Sequence, residues 1–100
     1  MSKLVRDLIP DILSEAQKAN YNFTILDKNE YRTRLNEKLL EEAKEYIEAE
    51  NIEELADLFE VVDAIIKLNG FKKEEIETVK NKKRETRGGF EKGILLEMKS

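Results

Sequence analysis

The stretch that decides the fold is residues 41–63, EEAKEYIEAENIEELADLFEVVD, which has the pattern of two acidic helices joined by a short break. Each helix carries two carboxylates three residues apart, and residues at that spacing are neighbours on a helix surface. The pairs are Glu42 with Glu45 and Glu54 with Asp57. Because the break is only a few residues long, we expect an antiparallel hairpin that brings both pairs to one place.

The helical register indicates that these acids face inward. Successive residues are about 100° apart around a helix, so Glu42 falls where a leucine is expected. The stripe that contains it is otherwise aromatic and apolar: Tyr31, Leu35, Leu39 and Tyr46. In the second helix Glu54 lies within the apolar arc and Asp57 lies at its edge. The alternative is a solvated acidic face, which is common in a chain with 22 acidic residues in 100.

Inward-facing acids need a partner that neutralises them. Two like charges about 4 Å apart repel by about 1 kcal/mol in water and by several-fold more where water is scarce. Such groups either take up protons or bind a metal ion. Oxygen ligands without histidine or cysteine suit Mg²⁺ or Mn²⁺ rather than zinc, and Mg²⁺ usually shares its coordination shell with substrate phosphates. The register therefore favours a magnesium site for phosphate chemistry over a solvated face.

Composition limits the class of protein. A chain of 100 residues predicts one domain, residues 1–100, and its 40% hydrophobic and 40% charged residues indicate a folded, helix-rich, soluble protein. The absence of cysteine excludes disulfides and thiol nucleophiles and fits a cytoplasmic location. The absence of histidine excludes a Ser-His-Asp triad. A net charge of −4 argues against a nucleic-acid polymer as partner, and no apolar run has membrane-spanning length.

The expected fold is mainly α, a bundle of about four helices with a small β element. The helices are predicted near residues 10–19, 28–49, 52–69 and 72–86. Asp27 and Asn51 are each followed three residues later by glutamate, the pattern that starts a helix. Two β-rich segments, residues 21–26 and 93–99, are predicted to pair as strands. The helix at 52–69 has more apolar surface than one hairpin covers, so we expect a homo-oligomer, a dimer or larger.

Four motifs in order resemble the MazG-like, all-α NTP pyrophosphohydrolase superfamily, and within it the small predicted house-cleaning enzymes for noncanonical nucleotides. They are EExxE at residues 41–45, ExxD at 54–57, the opening KLVRDLIP at 3–10 and RGGF at 87–90. The resemblance spans nearly the whole chain. One departure is the short spacing between the first two motifs, which requires a tight turn.

The resemblance implies hydrolysis of a nucleoside triphosphate to the monophosphate and pyrophosphate with Mg²⁺ as cofactor. The positions that match the family's metal ligands are Glu42, Glu45, Glu54 and Asp57. Glu41 and Glu45 are the carboxylates expected to position the attacking water and accept its proton. The basic residues expected near the phosphates are Lys83, Arg87, Arg6 and Lys3. Tyr46 and Phe90 could contact the base, although both also suit the hydrophobic core.

Two other hypotheses stay open at the level of sequence. A related enzyme, phosphoribosyl-ATP pyrophosphohydrolase, would act on one substrate of histidine synthesis and not on free triphosphates. A helical interaction module without catalytic activity would carry solvated acids, and alanine at Glu42 would then affect neither stability nor metal binding.

Overall fold

The computed structural model describes residues 2–99, and within them the chain is mainly helical. Five helices are present in this part of the chain: α1 Ile9–Ile12, α2 Glu15–Lys18, α3 Lys28–Ala49, α4 Ile52–Asn69 and α5 Lys73–Arg87. The predicted mainly-α class is confirmed. Residues 2–69 and residues 70–99 form two compact units, and each is described by itself. The single domain expected from chain length stays a prediction.

Helices α3 and α4 pack against one another as the predicted hairpin. The side chain of Asp27 accepts a hydrogen bond from the backbone N–H of Glu30 at 2.8 Å, so α3 begins at the expected cap. Asn51 accepts from the backbone N–H of Glu54 at 2.9 Å and starts α4 in the same way. Only Glu50 and Asn51 connect the helices, and Glu50 takes the left-handed conformation, with φ 49° and ψ 47°.

The hairpin has a small core. Leu35 and Val61 are 2% and 8% exposed, and the third buried residue among those described is Glu42, at 6%. Glu42 therefore occupies the leucine-like position that the sequence predicts. The other residues of its stripe are half-buried: Tyr31, Leu39 and Tyr46. The opposite strip of α4 is polar and exposed: Glu53, Glu60, Asp63 and Lys67.

The single helix predicted for residues 10–19 is wrong, because this segment forms the two short helices α1 and α2. The backbone is extended at Leu13, with ψ 141°. The hydroxyl of Ser14 then accepts from the backbone N–H of Gln17 at 3.2 Å, and the Gln17 side chain accepts from the backbone N–H of Ser14 at 2.8 Å. This reciprocal capping box starts α2, so the chain cannot continue α1 through residues 13 and 14.

The predicted β element is absent from the described residues, since neither segment 21–26 nor segment 93–99 forms a strand. The two segments belong to different compact units. A strand needs a neighbour to satisfy its backbone N–H and C=O groups, and neither segment has one. Their apolar side chains are largely in solvent, with Ile25 98% and Leu96 94% exposed.

The second unit contains α5 and the residues that follow it. Helix α5 ends at Arg87 and is capped by Gly88, whose backbone has φ 81° and whose N–H donates to the carbonyl of Arg84 at 2.8 Å. The guanidinium of Arg84 also contacts the carboxylate of Glu91 at 2.6 Å. No helix within residues 2–99 combines the length and apolar character that crossing a bilayer requires.

Candidate metal centre

The hairpin brings the predicted acids together near the connection between α3 and α4. Carboxylate oxygens of Glu42, Glu54 and Asp57 lie within 4.8 Å of one another. Oxygens of Glu41, Glu42 and Glu45 form a second group with the same limit. Glu42 belongs to both groups and is the most buried of the five, so it is the centre of the cluster.

Local structure explains how each acid reaches this place. Glu42 projects from the buried stripe of α3, three residues after Leu39 and one turn before Tyr46. Glu54 lies in the first turn of α4, where the positive end of the helix dipole stabilises a negative charge by about 0.3–1 kcal/mol. Asp57 follows one turn later on the same face.

Two oxygens of the cluster lack the partners that buried polar atoms normally have. Within the described part of the chain, Oε2 of Glu42 and Oε2 of Glu54 are buried and accept no hydrogen bond. Leaving a charged acceptor in that state costs more than the roughly 1–3 kcal/mol of a neutral one. Because the set consists of carboxylate oxygens alone, it fits Mg²⁺ or Mn²⁺. The residues present therefore suit the metal that the motifs imply.

Lys38 supplies one internal cation that the motifs did not indicate. Its ammonium group lies 3.3 Å from Oε1 of Glu41 and 3.3 Å from Oε1 of Glu42, and its side chain is only 18% exposed. Burial acts to lower the pKa of Lys38, but the hydrogen bonds and charges of Glu41 and Glu42 outweigh it and raise the pKa above 10.5. Lys38 is therefore charged at neutral pH.

Glu45 is the acid whose titration the cluster changes. Its pKa is raised above 4.5, chiefly because a proton on its carboxyl can be shared in a hydrogen bond with Glu42. The charge of Glu42, loss of water and the charges of Glu54 and Glu41 raise this pKa further. When Glu42 and Glu45 are both ionised, neither has a proton to donate to the other. The buried Oε2 of Glu42 then has no hydrogen-bond partner among the described residues. A proton on Glu45 and a bound cation are thus alternative ways to relieve the same repulsion.

Arg6 supplies the second internal cation. Its Nη2 lies 2.6 Å from Oδ1 of Asp57, although the two residues are 51 positions apart in sequence. The sequence suggested Arg6 as a phosphate ligand, whereas the structure places it on a predicted metal ligand. Lys3, the other basic residue suggested from this segment, is exposed and lines a separate cavity of about 600 Å³.

The contacts leave the cluster with an excess of negative charge. Five carboxylates face two cations, Lys38 and Arg6, which leaves three negative charges when every acid is ionised. The excess negative charge and the unpartnered oxygens therefore both favour a bound cation at this site.

A cavity of about 530 Å³ lies next to the acids within the first unit. Its polar wall includes Arg6, Lys38, Glu42 and Asp57, and its apolar wall includes Leu8 and Val61. Small-molecule sites typically have volumes of about 300–1,000 Å³ and combine apolar walls with a few polar groups. The cavity thus has the size and composition of a small-molecule site.

Three of the remaining predicted residues, Lys83, Arg87 and Phe90, lie in the second unit. Lys83 and Arg87 are exposed on α5, so their role as phosphate ligands stays a prediction. Phe90 is 98% exposed and does not belong to a core, whereas Tyr46 in the first unit is half-buried on α3. The hydrogen bond from Arg84 lowers the pKa of Glu91 below 4.5, with a smaller contribution from the Glu91 backbone.

Comparison with protein-family models, with curated proteins and with solved structures finds no match for this chain. The resemblance to the MazG-like superfamily stays a prediction from its four motifs. The geometry of the acids is an independent observation, because it comes from the contacts of this chain alone.

Proposed function

We propose that the chain is a MazG-like, Mg²⁺-dependent nucleoside triphosphate pyrophosphohydrolase that acts in the cytoplasm. The substrates would be nucleoside triphosphates, noncanonical ones included, and the products the monophosphate and pyrophosphate. One observation carries the proposal: the carboxylate of Glu42 is buried among other acids, and one of its oxygens has no partner. A charged oxygen in that position fits a cation-binding role and has no evident structural one.

The acids of the hairpin would have different roles in catalysis. Glu42, Glu54 and Asp57 would hold the metal, with Glu45 as a further ligand. When bound, Mg²⁺ would neutralise the triphosphate and activate a water molecule. Glu45, as a carboxylate that the metal does not fully occupy, would accept a proton from that water. Glu41, held by Lys38 at 3.3 Å, would position the water.

Basic side chains would bind the phosphates. Arg6 is the nearest to the acids in the structure, and Lys3 lies on the same segment. Lys83 and Arg87 complete the proposed set on the strength of the motif resemblance. Their positive charges would stabilise the charge that develops on the leaving pyrophosphate.

The decisive assay measures pyrophosphate release from a panel of standard and modified nucleoside triphosphates in the presence of Mg²⁺. We expect Glu54→Gln to lower the rate by more than about 100-fold, because it removes a proposed metal ligand while preserving shape. Glu53→Gln is the matched control, since this exposed neighbour should leave the rate unchanged.

The outcome also separates the alternative hypotheses. Turnover of phosphoribosyl-ATP without turnover of free triphosphates would assign the chain to the histidine-pathway enzyme. If no compound releases pyrophosphate and Mg²⁺ does not bind, the chain is a helical interaction module and the proposal fails.

We also propose that the protein is a homo-oligomer. Large apolar side chains on both helices of the hairpin face solvent in the single chain: Leu40 74%, Ile47 69%, Ile52 85% and Phe59 60% exposed. Burying such a surface against a second copy would complete a helical bundle. Sedimentation at micromolar concentration should show a dimer or larger species, and Phe59→Asp should shift it toward the monomer. Lys67→Asp, on the exposed strip of the same helix, should leave the assembly intact, and a strictly monomeric wild type would refute the proposal.

A further inference from the structure

The contact between Arg6 and Asp57 places a cation on one ligand of the proposed metal site. Its 2.6 Å length is that of a charge-assisted hydrogen bond, and it engages Oδ1 of Asp57. Asp57 is also one of the three acids whose oxygens lie within 4.8 Å of one another. Without a metal ion, the guanidinium of Arg6 therefore provides part of the positive charge that this cluster needs.

The segment that carries Arg6 is held loosely. Residues 2–6 have no regular secondary structure, and α1 begins only at Ile9. Leu4, Val5 and Arg6 line both the 530 Å³ cavity beside the acids and the 600 Å³ cavity. A segment without regular secondary structure that borders two cavities can move without disturbing a packed core.

A divalent cation and the guanidinium compete for the same carboxylate. The cation would contact several acids at once and has twice the charge, whereas Arg6 pairs with one acid among the described residues, Asp57, and its side chain is 59% exposed. Two cations on one carboxylate repel each other, so occupancy by one weakens occupancy by the other. Coupling of this kind is reciprocal: the metal weakens the Arg6–Asp57 pair by the same free energy by which that pair weakens metal binding.

We propose that Arg6 is an exchangeable internal cation. Binding of a divalent cation to Glu42, Glu54 and Asp57 displaces Arg6 from Asp57 and releases the amino-terminal segment. The freed guanidinium then becomes available to the phosphates of the substrate, so that metal binding prepares the phosphate site. This inference rests on the proposed function, because it requires the cluster to bind a divalent cation.

The first test measures Mn²⁺ binding by the loss of the free-ion signal in electron paramagnetic resonance. Arg6→Gln removes the competing charge, and we expect it to bind Mn²⁺ about fivefold more tightly than the wild type, a change typical of an exposed ion pair. Arg6→Lys keeps the positive charge but loses the planar guanidinium, so its Mn²⁺ affinity should lie between those of the wild type and Arg6→Gln. Lys3→Gln is the matched control, because it removes a charge from the same segment at a position that lines only the other cavity, and it should bind like the wild type.

The second test reports on the segment itself. The chain has no cysteine, so Ser2→Cys provides a single site for a spin label. Addition of Mg²⁺ should make this label more mobile in an otherwise wild-type chain. In the presence of Arg6→Gln the label should be mobile from the start, and Mg²⁺ should change it little.

The results separate the failure of this inference from that of the proposed function. If the wild type binds Mn²⁺ but Arg6→Gln binds no more tightly, and Mg²⁺ leaves the label unchanged, Arg6 is not exchanged and the metal site stands. If neither the wild type nor Arg6→Gln binds Mn²⁺, both proposals are overturned.

Discussion

Replacing Glu42 by glutamine tests the central physical claim, because its effect on stability should have an unusual sign. Removing one partner of a salt bridge normally destabilises a protein, and Glu42 does pair with Lys38. Here we expect the metal-free protein to become more stable by about 2 kcal/mol, since charge repulsion and burial outweigh that pair.

The estimate follows from the distances. At an effective dielectric constant of about 20, Glu41 and Glu54, with oxygens within 4.8 Å, each repel Glu42 by about 3.5 kcal/mol, and Lys38 at 3.3 Å attracts it by about 5 kcal/mol. The balance is a repulsion of about 2 kcal/mol. The repulsion from Asp57 counts for less, because that side chain is 42% exposed and carries Arg6. A glutamine oxygen can still accept a hydrogen bond from Lys38, so only part of the attraction is lost, and a buried amide costs less than a buried charge.

Urea denaturation followed by circular dichroism, with and without Mg²⁺, measures the effect. The wild type should gain about 1.4 kcal/mol at a tenfold excess of Mg²⁺ over its dissociation constant, whereas Glu42→Gln should gain nothing. Glu48→Gln, exposed on the same helix, should differ from the wild type by less than about 0.5 kcal/mol and keep the response to Mg²⁺. The reasoning is refuted if Glu42→Gln destabilises the metal-free protein and Mg²⁺ does not stabilise the wild type.

Three further predictions concern the turn, the core and titration. Glu50→Gly should raise the free energy of unfolding by about 1 kcal/mol, because Glu50 has a left-handed backbone conformation that glycine adopts without strain. Glu48→Gly within α3 should lower it by a similar amount. Urea denaturation measures both changes. Leu35→Ala should cost about 2–5 kcal/mol in the same assay because Leu35 is 2% exposed. Leu96→Ala, at a side chain that is 94% exposed outside the hairpin, should cost less than about 0.5 kcal/mol, and equal costs would contradict the proposed core. Because the pKa of Glu45 is raised on folding, metal-free stability should be fullest below pH 4.5 as far as this group is concerned and decline as pH rises through the raised pKa. Denaturation midpoints measured across pH should show that Glu45→Gln removes this decline. If Glu45 instead makes stability rise with pH over the same range, the predicted direction is wrong.

Features that depend on neighbouring residues were predictable from sequence. Asp27 and Asn51 cap α3 and α4 as expected, because a cap requires only a side chain and a backbone N–H three residues away. The inward position of Glu42 followed from helical periodicity in the same way. Ser14 and Gln17 formed an equally local signal, which the single helix predicted for residues 10–19 overlooked.

Features that depend on distant partners were not predictable. A strand at 21–26 needs a neighbour that no local pattern specifies, and the described residues provide none. Nothing in the sequence connects Arg6 to Asp57 across 51 residues. Lys38 is the exception, since it precedes Glu41 and Glu42 by three and four residues, a spacing at which helix charges pair.

The two-residue link between α3 and α4 fixes the relative position of the two pairs of acids. With a rise of about 1.5 Å per residue, Glu45 lies about 6 Å before the end of α3 and Glu54 about 3 Å after the start of α4, so the pairs sit side by side. Lengthening this link would let the helices slide and part the two pairs without altering a single ligand. Selection could therefore tune or abolish ion affinity here through insertions and deletions alone.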